Sequence, residues 1–119
     1  MKICVTSNGP DLSSDVDPRF GRARFFIVYD DENESYEVVD NEENVNAAGG
    51  AGVQSATAIA GKGCKWVVSG HMGPKALSVL READVKVATG AEGKVSDALR
   101  DFAEGNLEEI TEADVSPRW

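Results

Sequence analysis

In the stretch Trp66-Val67-Val68-Ser69-Gly70-His71-Met72-Gly73-Pro74-Lys75-Ala76, a short apolar run passes through two glycines and ends on a proline that opens a helical pattern. This succession predicts a buried strand, a tight turn and a helix N-terminus, because proline tolerates the first helical position and glycine the turn. In an α/β sheet such a turn lies at a strand's carboxyl end, where ligands are usually held. Exposed backbone N–H groups and the positive end of the helix dipole favour an anion there. The chain's one histidine, His71, sits in that turn. Its imidazole could coordinate a soft or borderline metal or donate a hydrogen bond to an anion. The plain alternative is a surface histidine with no ligand.

Working outward, Ile3-Cys4-Val5-Thr6 is a compact apolar run, ended by the turn residues Ser7-Asn8-Gly9-Pro10. Phe25 to Tyr29 and Tyr36 to Val39 are two further strands, and the polar Asp30 to Glu34 between them suits a hairpin. From Val53 the spacing turns helical through Ala56 and Ala60, with Gly61 and Gly63 closing the segment. After the quoted stretch, Ala76, Leu77 and Leu80 form an apolar helical stripe, and Val85 to Ala88 a short fifth strand. Thr89-Gly90-Ala91-Glu92-Gly93 is a second glycine-rich turn, leading into a last helix marked by Val95, Ala98, Leu99 and Phe102. The order β-β-β-α-β-α-β-α predicts an α/β, three-layer fold. Its mixed five-stranded sheet has the order 3-2-1-4-5, with strand 2 antiparallel and helices on both faces. Strand 1 is then central, and the crevice between strands 1 and 4 is a topological switch point. The turns at Thr6–Gly9, Ser69–Gly73 and Thr89–Gly93 are expected to surround it. Residues 1–107 read as one domain, and 108–119 as an acidic C-terminal tail.

The chain has 119 residues, 41% of them hydrophobic and 28% charged, with a net charge of −9. That balance argues against nucleic acid and anionic membranes as partners. No apolar run reaches membrane-spanning length, and the N-terminus enters a strand pattern without a cleavage signal, so a cytoplasmic location is expected. Against this acidity, Arg19, Arg22 and Arg24 form a concentrated positive segment, suited to a multi-oxygen or multi-sulfur anion, or else to pairing with Asp15 and Asp17. The Gly49-Gly50-Ala51-Gly52 loop lacks the lysine–serine pair of a phosphate loop and the dinucleotide fingerprint. As a helix start it would let a bulky ligand approach the backbone. Strand 1 carries no carboxylate, and no serine–histidine–acid set is evident, so no catalytic residue is assigned. Cys4 and Cys64 lack metal-ligand spacing and read as reduced, buried thiols, with a pairing between them as the alternative.

Val16-Asp17-Pro18-Arg19-Phe20-Gly21-Arg22-Ala23, then Gly49-Gly50-Ala51-Gly52, then Ser69 to Ala76 resemble the dinitrogenase iron–molybdenum cofactor biosynthesis domain family over about Met1 to Leu107. The resemblance implies a ribonuclease-H-like fold. It also implies non-catalytic, non-covalent binding, carriage or storage of an anionic molybdenum-containing metal–sulfur cluster. That cluster would be an iron–molybdenum cofactor precursor or, as in the single-domain orange-protein subgroup, a molybdenum–copper sulfide. A cluster donor or recipient protein would be the partner. Cofactor-binding candidates are Arg19, Phe20, Gly21 and Arg22 in the first loop and Gly49, Gly50 and Gly52 in the second. The later turns add Gly70, His71, Met72, Gly73, Lys75, Thr89 and Gly90. Many relatives have histidine before the Phe-Gly pair and before the glycine stretch, where this chain has Arg19 and Ala47-Ala48. His71 is therefore the candidate metal residue, as ligand or hydrogen-bond donor. A cofactor-free regulatory domain that binds a protein partner is the alternative. A nuclease or phosphotransferase on the same frame would need carboxylates on the central strand, which holds none.

Overall fold

Consecutive residues of β1 (Lys2–Ser7) are buried on opposite sides of one sheet: Ile3 and Val5 face one core, Cys4 the other. The same alternation splits Ile27 from Phe26 and Val28 in β2 (Phe25–Asp30), and Val68 from Val67 in β4 (Cys64–Val68). Such near-continuous apolar runs arise because both faces of the sheet are covered. The computed structural model describes residues 1–45 and 50–113; the expected site residue Gly49 lies outside them, as do 46–48 and 114–119. On the Cys4 side, α2 (Ala51–Ala60) contributes Ala56 and Ile59, and α3 (Pro74–Glu82) contributes Ala76, Leu77 and Leu80. On the other side, α4 (Val95–Ala103) contributes Val95 and Ala98. The result is three layers, with the sheet between two separate cores.

With β3 (Ser35–Asp40), β5 (Lys86–Thr89) and β6 (Glu108–Ile110), the sheet order is β3-β2-β1-β4-β5-β6. β2 runs antiparallel to β1 and β3, while β1, β4 and β5 are mutually parallel. The expected order 3-2-1-4-5 is thus present, but the sheet has six strands rather than five. The sixth lies where an acidic tail was expected, with Ile110, Glu109 and Glu108 pairing antiparallel to Val87, Ala88 and Thr89. Its two glutamates are exposed and only Ile110 is half-buried, so a three-residue edge strand leaves no alternating apolar trace.

The polar segment after β3 also holds a short helix, α1 (Glu42–Val45). It is anchored by buried Asn41, whose Nδ2 donates to the Ala23 carbonyl at 2.8 Å. The Asn41 Oδ1 accepts from Asn44 Nδ2 at 2.9 Å and Ser55 Oγ at 3.2 Å. One buried amide thereby ties the approach to the glycine-rich loop to both α2 and the segment before β2. No helix among the described residues is long and apolar enough to cross a membrane.

Candidate functional site

The loop between β1 and β2 turns back across the carboxyl ends of the parallel strands and is bonded down along its length. The Thr6 hydroxyl donates to the Asp17 carbonyl at 2.6 Å, and the Asp17 N–H returns to the Thr6 carbonyl at 3.1 Å. The Val16 N–H donates to the Gly93 carbonyl and the His71 N–H to the Pro18 carbonyl, each at 2.8 Å. Arg19 and His71 form a parallel bridge there. Two glycines permit this packing. A Cβ on Gly70 would stand 2.8 Å from the Pro18 Cα, and one on Gly21 would stand 2.8 Å from both N and Cα of Gly52. A Cβ on Gly52 would in turn touch the Ala76 Cβ at 3.4 Å, which makes the starts of α2 and α3 neighbours. The fold therefore gathers the loop of Arg19 and Gly21, the turn of Gly70, His71 and Gly73, and the helix starts bearing Gly50, Gly52 and exposed Lys75.

The three glycine-rich helix starts are not equivalent. α4 opens onto the chain's own carbonyls: the Val95 N–H donates to Ser14 O and the Ser96 N–H to Leu12 O, both at 2.9 Å. α2 and α3 begin at Gly50 and Gly73 without any side-chain cap. The first-turn N–H groups of a helix have no partner inside it, so a helix start without a side-chain cap is suited to an anion.

The charged groups divide similarly. Arg19 has a half-exposed side chain, with its Nε 4.0 Å from Asp17 Oδ1, while its own N–H donates to that oxygen at 2.9 Å. Asp17 is only 5% exposed. Burial pushes its carboxyl above the usual aspartate range, against the opposing pull of the Arg19 amide and guanidinium. Arg22 reaches back to the Val45 carbonyl at 2.8 Å, tying the loop to α1. Arg24 turns away, lying 4.5 Å over the Phe25 ring and pairing with Asp40 and Glu42. Asp40 and Glu42 thus answer the Arg24 charge, while Asp17, one of the two partners expected for the segment, answers that of Arg19. His71 is half-buried and held on both sides of its backbone, with its carbonyl accepting from Ser69 Oγ at 3.0 Å.

Other candidates are buried in the protein rather than open at the turn. Phe20 is 2% exposed and tilted against Phe26 with centroids 5.1 Å apart. Met72 and Thr89 are also buried. The exposed Gly90, at φ 90°, donates its N–H to the Gly70 carbonyl at 3.1 Å and so joins the exit of β5 to the turn. Asp17, Pro18, Thr6 and Ser69, which lie in the motif and turns read from sequence but were not among the candidate binding residues, seat the loop. The one available signal was Asp17 before Pro18, since aspartate commonly caps a backbone N–H two residues on. Among the described residues no group of three or more His, Cys, Asp or Glu is placed to hold a metal ion. The donor set suits an anion that brings its own ligands: two helix starts, guanidinium, ammonium and one imidazole.

Residues 1–105 match the family described as dinitrogenase iron-molybdenum cofactor. An uncharacterised protein of Methanocaldococcus jannaschii is 30% identical over 113 residues, which cover 92% of each chain. The apo form of the orange protein from Desulfovibrio gigas superposes with a TM-score of 0.92 at 36% identity, covering 96% of both chains. The solution structure of a putative NifB protein from Thermotoga superposes with a TM-score of 0.84 at 37% identity, over 96% of this chain and 97% of that one.

Proposed function

The chain belongs to the dinitrogenase iron–molybdenum cofactor family, and from that premise we propose that it binds and carries an anionic molybdenum-containing metal–sulfur cluster without turning it over. The observation that carries this reading is the pairing of two uncapped helix starts, α2 and α3, beside Arg19, His71 and Lys75 on a chain of net charge −9. A sulfide-saturated cluster needs few protein ligands. It needs N–H donors and local positive charge, and the two uncapped helix starts with Arg19 and Lys75 close by support that reading. Arg19 and Lys75 would neutralise the cargo. Gly50 and Gly52 would let it approach the backbone, and His71 would ligate a metal or donate a hydrogen bond at the turn. The seated loop would hold Arg19 in place through Asp17. Release would then be to a recipient protein, with the cluster handed over intact.

The likeness to the orange protein favours the molybdenum–copper sulfide form, which can be tested directly. The purified apo-protein is mixed with tetrathiomolybdate and copper(I) and then desalted. Visible charge-transfer absorbance, molybdenum and copper should elute with the protein. Their complete passage into the small-molecule fraction overturns the molybdenum–copper form. Arg19→Ala and His71→Ala should each weaken retention about ten- to a hundredfold, the range for a lost hydrogen bond to a charged group. Wild-type retention in both variants would remove the cargo from this crevice.

A further inference from the structure

The two edges of the sheet are built differently. β6 is three residues long and carries two exposed glutamates, a usual means of keeping a strand edge from pairing with another chain. β3 pairs with β2 without a bulge over all six of its residues, and it contains neither proline nor lysine. Its backbone phase follows from the flanking bond. The Asn41 N–H donates to the Arg24 carbonyl at 3.0 Å, so in an antiparallel ladder Val39, Glu37 and Ser35 also bond to β2. The intervening Tyr36, Val38 and Asp40 then direct their N–H and C=O groups to the outer edge. Among the described residues, no turn or loop bonds to these groups. The side chains are sorted by face. Val38 stands opposite Ile27, which packs with Ile3 and Val5 in the α4-side core, so Val38 and Tyr36 point to the α4 side. α4 lies over β1 and β4, and Tyr36 and Val38 remain 42% and 39% exposed. Glu37 points to the other side, 3.5 Å from Lys62. Exposed carboxylates stand at both ends of the strand: Asp31, Glu32 and Glu34 in the hairpin, Asp40, Glu42 and Glu43 at the far end.

We propose that β3 is a docking edge for an extended segment of a partner protein, which adds antiparallel to the sheet and alternates apolar with basic residues. Main-chain bonds to Tyr36, Val38 and Asp40 would hold it, as in other cases of strand addition. Its residues opposite Tyr36 and Val38 share their face and are apolar. The residue opposite Glu37 is lysine or arginine, and further basic residues flank the segment beside the carboxylates at either end. A second copy of this chain fits less well. Pairing two β3 strands about a two-fold axis at Val38 brings Glu34 towards Glu42, and an axis at Glu37 sets that carboxylate opposite itself. Each is a like-charge contact, added to a net charge of −9 on either body. The inference stands apart from the cluster reading. The edge ends at Asp40, which pairs with Arg24, so the partner lies beside the crevice and leaves it open.

The test titrates a short synthetic peptide of alternating valine and lysine, with a lysine pair at each end, into the isotope-labelled full chain. Amide shifts should centre on Tyr36, Val38 and Asp40, and hydrogen exchange at these amides should slow about tenfold or more. In the antiparallel arrangement the valine N–H groups face β3 and the lysine N–H groups face away. N-methylating the valines should therefore weaken binding about tenfold, the scale of one or two lost hydrogen bonds, while N-methylating the lysines should not. Equal binding of the two methylated peptides would reduce the contact to bulk charge attraction and overturn the proposal. Equal binding of a peptide with glutamate in place of lysine would overturn the basic partner. Val38→Pro removes an N–H that β2 does not use, so it should keep the spectrum of the distant strands and lose the slowed exchange. A wild-type dimer in sedimentation that Val38→Pro dissociates would give the edge to a second copy instead. The peptide comparisons use the wild-type chain and stand even if the variant fails to fold.

Discussion

Single atoms decide whether the loop can lie across the strand ends. Gly70 and Gly21 have ordinary backbone angles, so their need is for space and not for a positive φ. Each lies where backbone meets backbone, and such a neighbour cannot rotate aside. Gly70→Ala and Gly21→Ala should each destabilise the fold by about 1 to 3 kcal/mol, the range for overpacking a close contact, and both should weaken cluster retention. Urea unfolding and the desalting assay would measure these effects; unchanged retention would mean that the loop can lift without cost to the site. Asp17 offers a different handle. Its folded pKa is raised, so the protonated form is favoured in the native state. The stability this contributes is complete below the ordinary aspartate range and is lost as pH rises through the folded value. Asp17→Asn removes that titration while keeping an oxygen for the Arg19 N–H. The variant should therefore gain on the wild type between acid and neutral pH in urea unfolding, whereas a constant difference would place the raised value elsewhere.

At the scale of elements, β6 changes how the sheet ends. Ile110 packs partly against the Cys4-side core, and the strand covers the outer edge of β5. Ile110→Asp should cost about 1 to 2 kcal/mol from lost apolar burial and leave β5 as an unpaired edge prone to association. Urea unfolding and light scattering would show both. β6 also shows where sequence reading stops. The five longer strands announce themselves through apolar runs bounded by Ser7–Pro10, Asp30–Glu34 and the glycine turns, and their order follows from connection rules. A segment of two exposed glutamates and one isoleucine has no period to detect. For the candidate site, the meeting of the Arg19 loop with the His71 turn was legible because strand ends and glycine turns mark them. The inward packing of Phe20 and Met72, the departure of Arg24 to Asp40 and Glu42, and the capping of α4 by Ser14 and Leu12 were not. Each depends on a contact between segments distant along the chain, which local pattern cannot encode.

For the whole molecule, the crevice is a small cationic feature on an anionic body of 34 × 27 × 24 Å with a net charge of −9. At low salt an approaching anion meets the repulsion of the entire surface before it reaches Arg19 and Lys75. At 0.1 M salt the screening length is about 10 Å, shorter than the molecule, so distant carboxylates fade before the nearby cations do. Association of tetrathiomolybdate should therefore speed up as salt rises from about 10 to 150 mM, the reverse of ordinary steering by a positive surface. Stopped-flow absorbance would follow it; a rate that falls with salt would show that the crevice dominates the field. The loop seated over the strand ends also has a consequence in time. Its bonds run from Val16 to Gly93, from His71 to Pro18 and from Val95 to Ser14, so they can close only after β4, β5 and α4 are in place. Contacts of such long sequence separation form late in folding and open early in native-state fluctuations. The amides of Val16, Asp17, His71 and Val95 should exchange with deuterium as one unit, ahead of the sheet beneath them. The doorway of the crevice is then the last part of the chain to be built and the first to come undone.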